Sequence, residues 1–237
     1  ICHFKNKGFI FEIYNEPNWV FWKPYYPWRN GSAYVNLIEG IIQELISKPN
    51  YQQNMEAMQH VLLNETIIGP ALAAPPLGGL GIDRRFLEYL LNNKSIICVF
   101  RYISLHLYTQ YEPEIRLDIY REVTNWINTS WHKNNMCSSF YNITSNVNKA
   151  PEIVSGEWGW STCKLHNKPI PCIYKGILEA VTGANTDIDQ AKFISRMYLM
   201  NIMSNVPFSV YYDLIDDGEH YGVIDVRTNK LITEIIH

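Results

Sequence analysis

The stretch "FEIYNEPNW" (Phe11–Trp19) decides how the chain is read. Apolar and aromatic residues build a strand-like run that stops abruptly on Asn15, Glu16 and Pro17. A proline ring cannot donate to a sheet ladder, so a buried strand ends here on an amide and a carboxylate. In parallel α/β folds, the carboxyl ends of strands are where working side chains collect. One glutamate rarely does chemistry alone, so a second carboxyl elsewhere in the chain is expected as its partner.

Outward from this stretch, strand and helix patterns alternate. "GFIFEIY" (8–14) reads as a buried strand. "AYVNLIEGIIQELIS" (33–47) reads as an amphipathic helix with apolar residues three and four apart, Ser32 as its N-cap and Pro49 beyond its end. Further strands are expected over 66–73 ("TIIGPALA"), 99–108 ("VFRYISLHLY"), 151–158 ("PEIVSGEW") and 207–213 ("PFSVYYD"). Helices are expected from Asp83 to about Asn92, over 114–131, and over 187–204 with a cap near Thr186. The segment up to Ala184 reads as irregular, "YGVID" (221–225) as a short strand, and "LITEIIH" as the start of a helix.

Such alternation implies parallel βαβ units. Five strong strands fit either a five-stranded doubly wound sheet or the later part of an α/β barrel whose first strands are missing. "GGLGIDRR" lacks the spacing of a dinucleotide loop and reads as turn glycines, which leaves an oxidoreductase with little support.

The strand ends carry the candidates. After Asn15 and Glu16, the third strand ends in His106 and Tyr108, the fourth in "GEWGWS" with Glu157, and the last in Tyr211, Tyr212 and Asp213. Glu157 is the partner sought for Glu16. Hydrolysis of a glycosidic bond needs two carboxyls, one protonated to donate to the leaving oxygen and one ionised to attack carbon or activate water. Asn15 is placed to bind a sugar hydroxyl, Tyr108 to hold Glu157 ionised, and His106 to orient acid or substrate. Trp19, Trp22, Trp158 and Trp160 flank the glutamates as candidate stacking surfaces. A strand-end glutamate is more often a solvated residue or cap partner, and a histidine on an apolar strand a satisfied core group. Both glutamates ending apolar strands among aromatics lifts the pair above that background.

Composition narrows the partners. A formal net charge of −3 without a basic run argues against nucleic acid. No apolar run approaches the roughly 18 residues of a membrane span. The chain opens on Ile1, as a mature chain or fragment does. Five Asn-X-Ser/Thr sequons (Asn30, Asn64, Asn93, Asn128 and Asn142) exceed the about two expected by chance from this composition, and point to a secreted protein. Cys163 and Cys172 bracket a polar loop and are expected to form a disulfide. A zinc site there would add His166 and reach only three ligands, so no metal is expected. Cys98 reads as a buried small hydrophobe, and pairing of Cys2 with Cys137 stays open.

The motifs also carry a resemblance. "FEIYNEPN" resembles the acid/base strand of the clan A glycoside hydrolases, and "SGEWGWST" resembles the nucleophile strand of that clan. "SLHLY" is similar to the clan's sixth strand, and the run from Asp189 to Asp225 resembles the last helix–strand passage of family 5 and family 39-like enzymes. The resemblance implies an incomplete (β/α)8 TIM barrel with strands four to eight represented, residues 1–237 forming the C-terminal portion of a catalytic domain. It implies Glu16 as acid/base, Glu157 as nucleophile and Asn15 as the sugar-binding amide. His106, Tyr108, Trp19, Trp22, Trp160 and Tyr211 are expected to bind substrate, with Tyr211 standing where relatives commonly have Trp. The activity implied is retaining hydrolysis of β-linked oligo- or polysaccharides without cofactor. The rival is a carbohydrate-binding relative that has lost turnover.

Overall fold

The computed structural model describes residues 9–18, 31–47, 66–74, 84–93, 97, 99–109, 111–134, 149–160, 162, 164–165, 168–169, 186–215, 221–225 and 230–231. Its elements are β1 (Ile10–Glu12), α1 (Ser32–Ser47), β2 (Thr66–Ala74), α2 (Arg84–Asn92), β3 (Tyr102–Leu107), α3 (Leu117–Asn134), β4 (Glu152–Trp158), β5 (Lys164–Leu165), β6 (Lys168–Pro169), α4 (Asp187–Met203), β7 (Ser209–Tyr211), β8 (Ile224–Asp225) and β9 (Lys230–Leu231). A single 3-10 turn, Pro113–Arg116, precedes α3.

Five of the strands form one parallel sheet in the order β1-β2-β3-β4-β7, which curls through 223° as a half-barrel. This choice between the two expected folds follows from the order. Doubly wound sheets reverse direction at a switch point, whereas barrel strands add in chain order. Here the order is sequential throughout, and the alternation with helices fits a partial TIM barrel. By contact the chain divides into two compact units: Ile1–Ala73 with Ile82–Leu105 and Ile119–Val154, and Ala74–Gly81 with His106–Asp118 and Ser155–His237.

In the first unit, the ladder runs through Ile13 N to Ile68 O (2.9 Å), Arg101 N to Ile67 O (2.9 Å) and Glu152 N to Arg101 O (3.1 Å). Ile67, Ile68, Ala71 and Leu72 of β2 are buried almost completely, as expected for a strand covered on both faces. Helix α1 buries Tyr34, Val35 and Ile38, and α2 buries Phe86, Leu87, Leu90 and Leu91. Helix α3 buries Ile119, Val123 and Ile127, four apart and therefore on one face. Tyr34 anchors this core, with ring centroids 5.7 Å from Phe86 and 6.3 Å from Phe100. Its hydroxyl donates to Ile13 O at 3.0 Å, which ties α1 to the end of β1. Burial, aided by the Glu12 charge, pushes the Tyr34 phenol well above its usual pKa. Gly69 makes room for it, since a Cβ there would lie 2.6 Å from the Tyr34 hydroxyl.

In the second unit, Ser155 N donates to Phe208 O and Tyr212 N to Trp158 O, pairing β4 with β7 across an irregularity between Ser155 and Trp158. Helix α4 starts on a capping box: the Thr186 hydroxyl accepts from Asp189 N, while the Asp189 carboxylate accepts from Thr186 N. The helix buries Gln190, Met197, Met200 and Asn201.

Several boundaries differ from expectation for local reasons. The first strand is cut to three residues by Tyr14, whose φ of 70° leaves the extended region. The third begins at Tyr102, because Phe100 N turns back to Ile97 O. The helix expected over 114–131 is preceded by the 3-10 turn that Pro113 opens, and runs to Asn134. Within the segment expected to be irregular, β5 and β6 pair antiparallel. Leu231, expected to open a helix, instead lies in β9, antiparallel to β8. No helix among the described residues is long and apolar enough to cross a membrane.

Candidate active site

The first unit presents the Asn-Glu-Pro segment. After β1, Tyr14 and Glu16 adopt left-handed φ values of 70° and 45°, conformations that cost non-glycine residues about 1–3 kcal/mol each and cluster at functional positions. Asn15 is exposed and bridges in parallel to Ala71, Glu16 is half-buried, and Pro17 is buried. What replaces the lost ladder is Asn18. Its side-chain Nδ2 donates to Ala73 O and its Oδ1 accepts from Ala73 N, both at 2.9 Å, so an amide side chain pairs with β2 where the backbone turns away. The run therefore stops on these residues because a strained turn, held by Asn18, displays Asn15 and Glu16 past the strand. Asn18 was not singled out from sequence, although the second Asn of "NEPN" was there to be noticed.

The second unit gathers His106, Tyr108 and Glu157. His106 and Tyr108 alternate onto one side of β3, and Glu157 lies near the end of β4. The Tyr108 hydroxyl donates a hydrogen bond to Glu157 Oε1. His106 Nδ1 stands 3.6 Å from Glu157 Oε2, with His106 1% exposed and the Glu157 side chain 28% exposed. Each carboxylate oxygen thus faces its own polar group while the carboxylate stays reachable. Such contacts fix the direction of a carboxyl.

Sequence reasoning missed Tyr221 and Arg116. The Tyr221 ring meets Tyr108 edge-on at 5.5 Å and Tyr212 at 5.9 Å, while its carbonyl accepts from Tyr211 Oη (2.7 Å) and Gln190 Nε2 (3.0 Å). Gln190 Nε2 also donates to Trp160 O at 2.7 Å, so one buried amide joins the end of β4 to the Tyr221 segment. Arg116 donates to the Tyr108 carbonyl. Nothing local marks either residue: Arg116 falls in the first turn of the helix expected over 114–131, and Tyr221 opens the short strand expected over 221–225.

The other expected aromatics divide. Trp160 is 1% exposed and donates Nε1 to Tyr111 O at 3.0 Å, so its ring packs inside, 5.4 Å from Phe193, rather than facing outward. Trp158 is fully buried between Trp160, Tyr198 and Tyr211. Tyr211 is half-buried against Trp158. Burial raises its phenol pKa, and the charges of Asp213, Tyr198 and Tyr221 add to that. Trp19, Trp22, Cys163, Cys172, His166 and the remaining cysteines Cys2, Cys98 and Cys137 lie outside the described residues. Of the sequons, Asn128 is exposed on α3, and Asn93 donates to Glu39 Oε1 at 3.2 Å.

Compared with models of known protein families and with curated proteins, the chain matches none of them.

Proposed function

We propose that the protein is a retaining glycoside hydrolase acting on β-linked oligo- or polysaccharides. Glu157 is the nucleophile and Glu16 the acid/base. Asn15 binds the hydroxyl beside the reacting carbon, and no cofactor takes part.

The observation that carries this reading is the Tyr108–Glu157–His106 arrangement: an accessible carboxylate oriented from both oxygens at the carboxyl end of a barrel-type strand. A second support is the parallel sheet, in which Asn15 and Glu16 follow the carboxyl end of β1 and Glu157 lies near that of β4. In the first step the Glu157 oxygen attacks the anomeric carbon while the Glu16 proton passes to the departing oxygen. In the second, Glu16 takes a proton from water as that water displaces the Glu157 ester. Tyr212 and Tyr221 extend the aromatic surface beside Tyr108, and with Trp160 buried they are the better candidates to meet a sugar ring.

The likeness in motifs further suggests that this chain is the fourth-to-eighth-strand portion of a secreted catalytic domain. A panel of nitrophenyl glycosides and polysaccharides, offered to this chain and to any longer protein carrying it, tests the reading. Hydrolysis that disappears in Glu157→Gln is expected. Hydrolysis that survives it unchanged contradicts the reading. Secretion is checked by a mass loss on enzymatic deglycosylation that Asn128→Gln abolishes in part.

A further inference from the structure

Between β3 and α3 the chain runs from Thr109 to Arg116, and this short strap is tied down from several directions within one unit. Thr109 Oγ1 accepts from Tyr111 N at 3.1 Å. Trp160, past the end of β4, donates Nε1 to Tyr111 O at 3.0 Å. Glu114 accepts from Arg196 of α4 at two points, 2.7 and 2.5 Å. Arg116 closes the strap by donating Nη2 to the Tyr108 carbonyl at 2.5 Å.

The last tie is the one made by a buried charge, whereas the Arg196–Glu114 pair is exposed. Arg116 is 1% exposed, and burial holds its guanidinium below the usual arginine pKa, though the group stays cationic at neutral pH. Burying a cation is costly, and a backbone carbonyl can be satisfied by a neutral donor. A planar guanidinium gives instead a charge-assisted bond of fixed direction. The residue it holds is the one whose hydroxyl donates to Glu157.

We infer that Arg116 is a positioning residue for Glu157. It fixes the Tyr108 carbonyl, and through Tyr108 the phenol that aims the carboxylate, without touching substrate. The inference rests on the reading of Glu157 as nucleophile, since in-line attack depends on a carboxylate held in one direction. The plainer alternative is that Arg116 only braces the start of α3. That alternative leaves the Tyr108–Glu157 bond unchanged when Arg116 is replaced.

The test follows the Tyr108 hydroxyl proton by NMR. Bonded to a carboxylate, it is expected as a slowly exchanging low-field resonance, identified by its loss in Tyr108→Phe. In Arg116→Met, with circular dichroism still showing a folded chain, the resonance should vanish or move upfield. In Arg116→Lys, which keeps the charge but not the fork, it should move part of the way. Where hydrolysis is measurable, kcat should fall about tenfold or more in Arg116→Met, with KM little changed and partial recovery in Arg116→Lys. An unmoved resonance in Arg116→Met overturns the inference, as does its absence from the unmodified protein. If Arg116→Met fails to fold, Arg116→Lys decides by the same criterion. Absence of hydrolysis in the unmodified protein defeats the nucleophile reading alone, and the resonance comparison still separates positioning from bracing.

Discussion

Gly159, between Trp158 and Trp160, has no room for a side chain: a Cβ there would lie 2.2 Å from the Tyr212 carbonyl oxygen and 3.0 Å from the Tyr221 ring. Both neighbours belong to the aromatic group beside Tyr108, so the glycine is required by close approach. Gly159→Ala is expected to destabilise the protein by about 1–3 kcal/mol in chemical denaturation, the range for overpacking a filled site. A change below about 0.5 kcal/mol would show that the backbone yields easily. The two glutamates call for a different experiment, because position does not separate acid from nucleophile. Glu16→Ala should spare substrates with good leaving groups, which need little protonation, and azide should then give a β-glycosyl azide from a β-linked substrate. Glu157→Ala should stop turnover of every substrate, with no retained product restored by azide. The reverse pattern would exchange the roles. That Asn15 and Glu16 follow β1, and that His106, Tyr108 and Glu157 stand at the ends of β3 and β4, was legible because a strand end is visible in sequence. Arg116 and Tyr221 were not, because their meaning comes from carbonyls and rings brought to them by other elements. Trp160 misled for the same reason: a tryptophan beside a glutamate reads as a platform until the element that covers it is known.

Helix α4 shows how a single element is specified and how it should respond to acid. Thr186 and Asp189 close a reciprocal cap, and Thr186→Ala should cost about 1 kcal/mol, read as a lowered Tm. Hydrogen bonds from the Thr186 hydroxyl and backbone hold the Asp189 carboxyl below its usual pKa, and the bidentate bond from Arg196 does the same for Glu114. A depressed carboxyl pKa contributes stability above the unfolded value and loses it as pH falls through the folded one. Both contributions should therefore be intact at neutral pH and fade below about pH 4. Glu114 is exposed and Asp189 only partly covered, so each effect is modest. Glu114→Gln should lower Tm slightly at pH 7 and leave it unchanged at pH 2–3; an equal loss at both would show that the pair acts by packing rather than charge. This cap was readable beforehand, because Thr three residues before Asp is a local pattern. The end of β1 and the starts of β3 and α3 were not, since they turn on one left-handed tyrosine, one backbone turn and one proline-led 3-10 turn. The hairpin of β5 and β6 escaped notice because two-residue strands carry no periodicity.

At the scale of the molecule, alternation of strands with helices was legible and foretold a parallel sheet, but five strands alone fit two architectures. The sequential strand order and the 223° curl decide for a partial TIM barrel, and both depend on how strands meet rather than on any one segment. The edge strands of the sheet expose apolar side chains. Val210 on β7 is 50% exposed, and Phe9 and Ile10 at β1 are 49% and 50% exposed. Edge strands with apolar side chains invite pairing with other chains. Val210→Lys should accordingly reduce concentration-dependent association in light scattering, and unchanged association would place the sticky surface elsewhere. The central claim concerns one bond, between Glu157 and an anomeric carbon. Its most direct measurement is mass spectrometry of the protein after exposure to 2-deoxy-2-fluoroglycosides with good leaving groups, drawn from the sugars found to be hydrolysed. The account predicts one glycosyl unit per chain on the peptide containing Glu157, released in water with retained configuration. Turnover with inverted product and no label, or label on Glu16 instead, would contradict it.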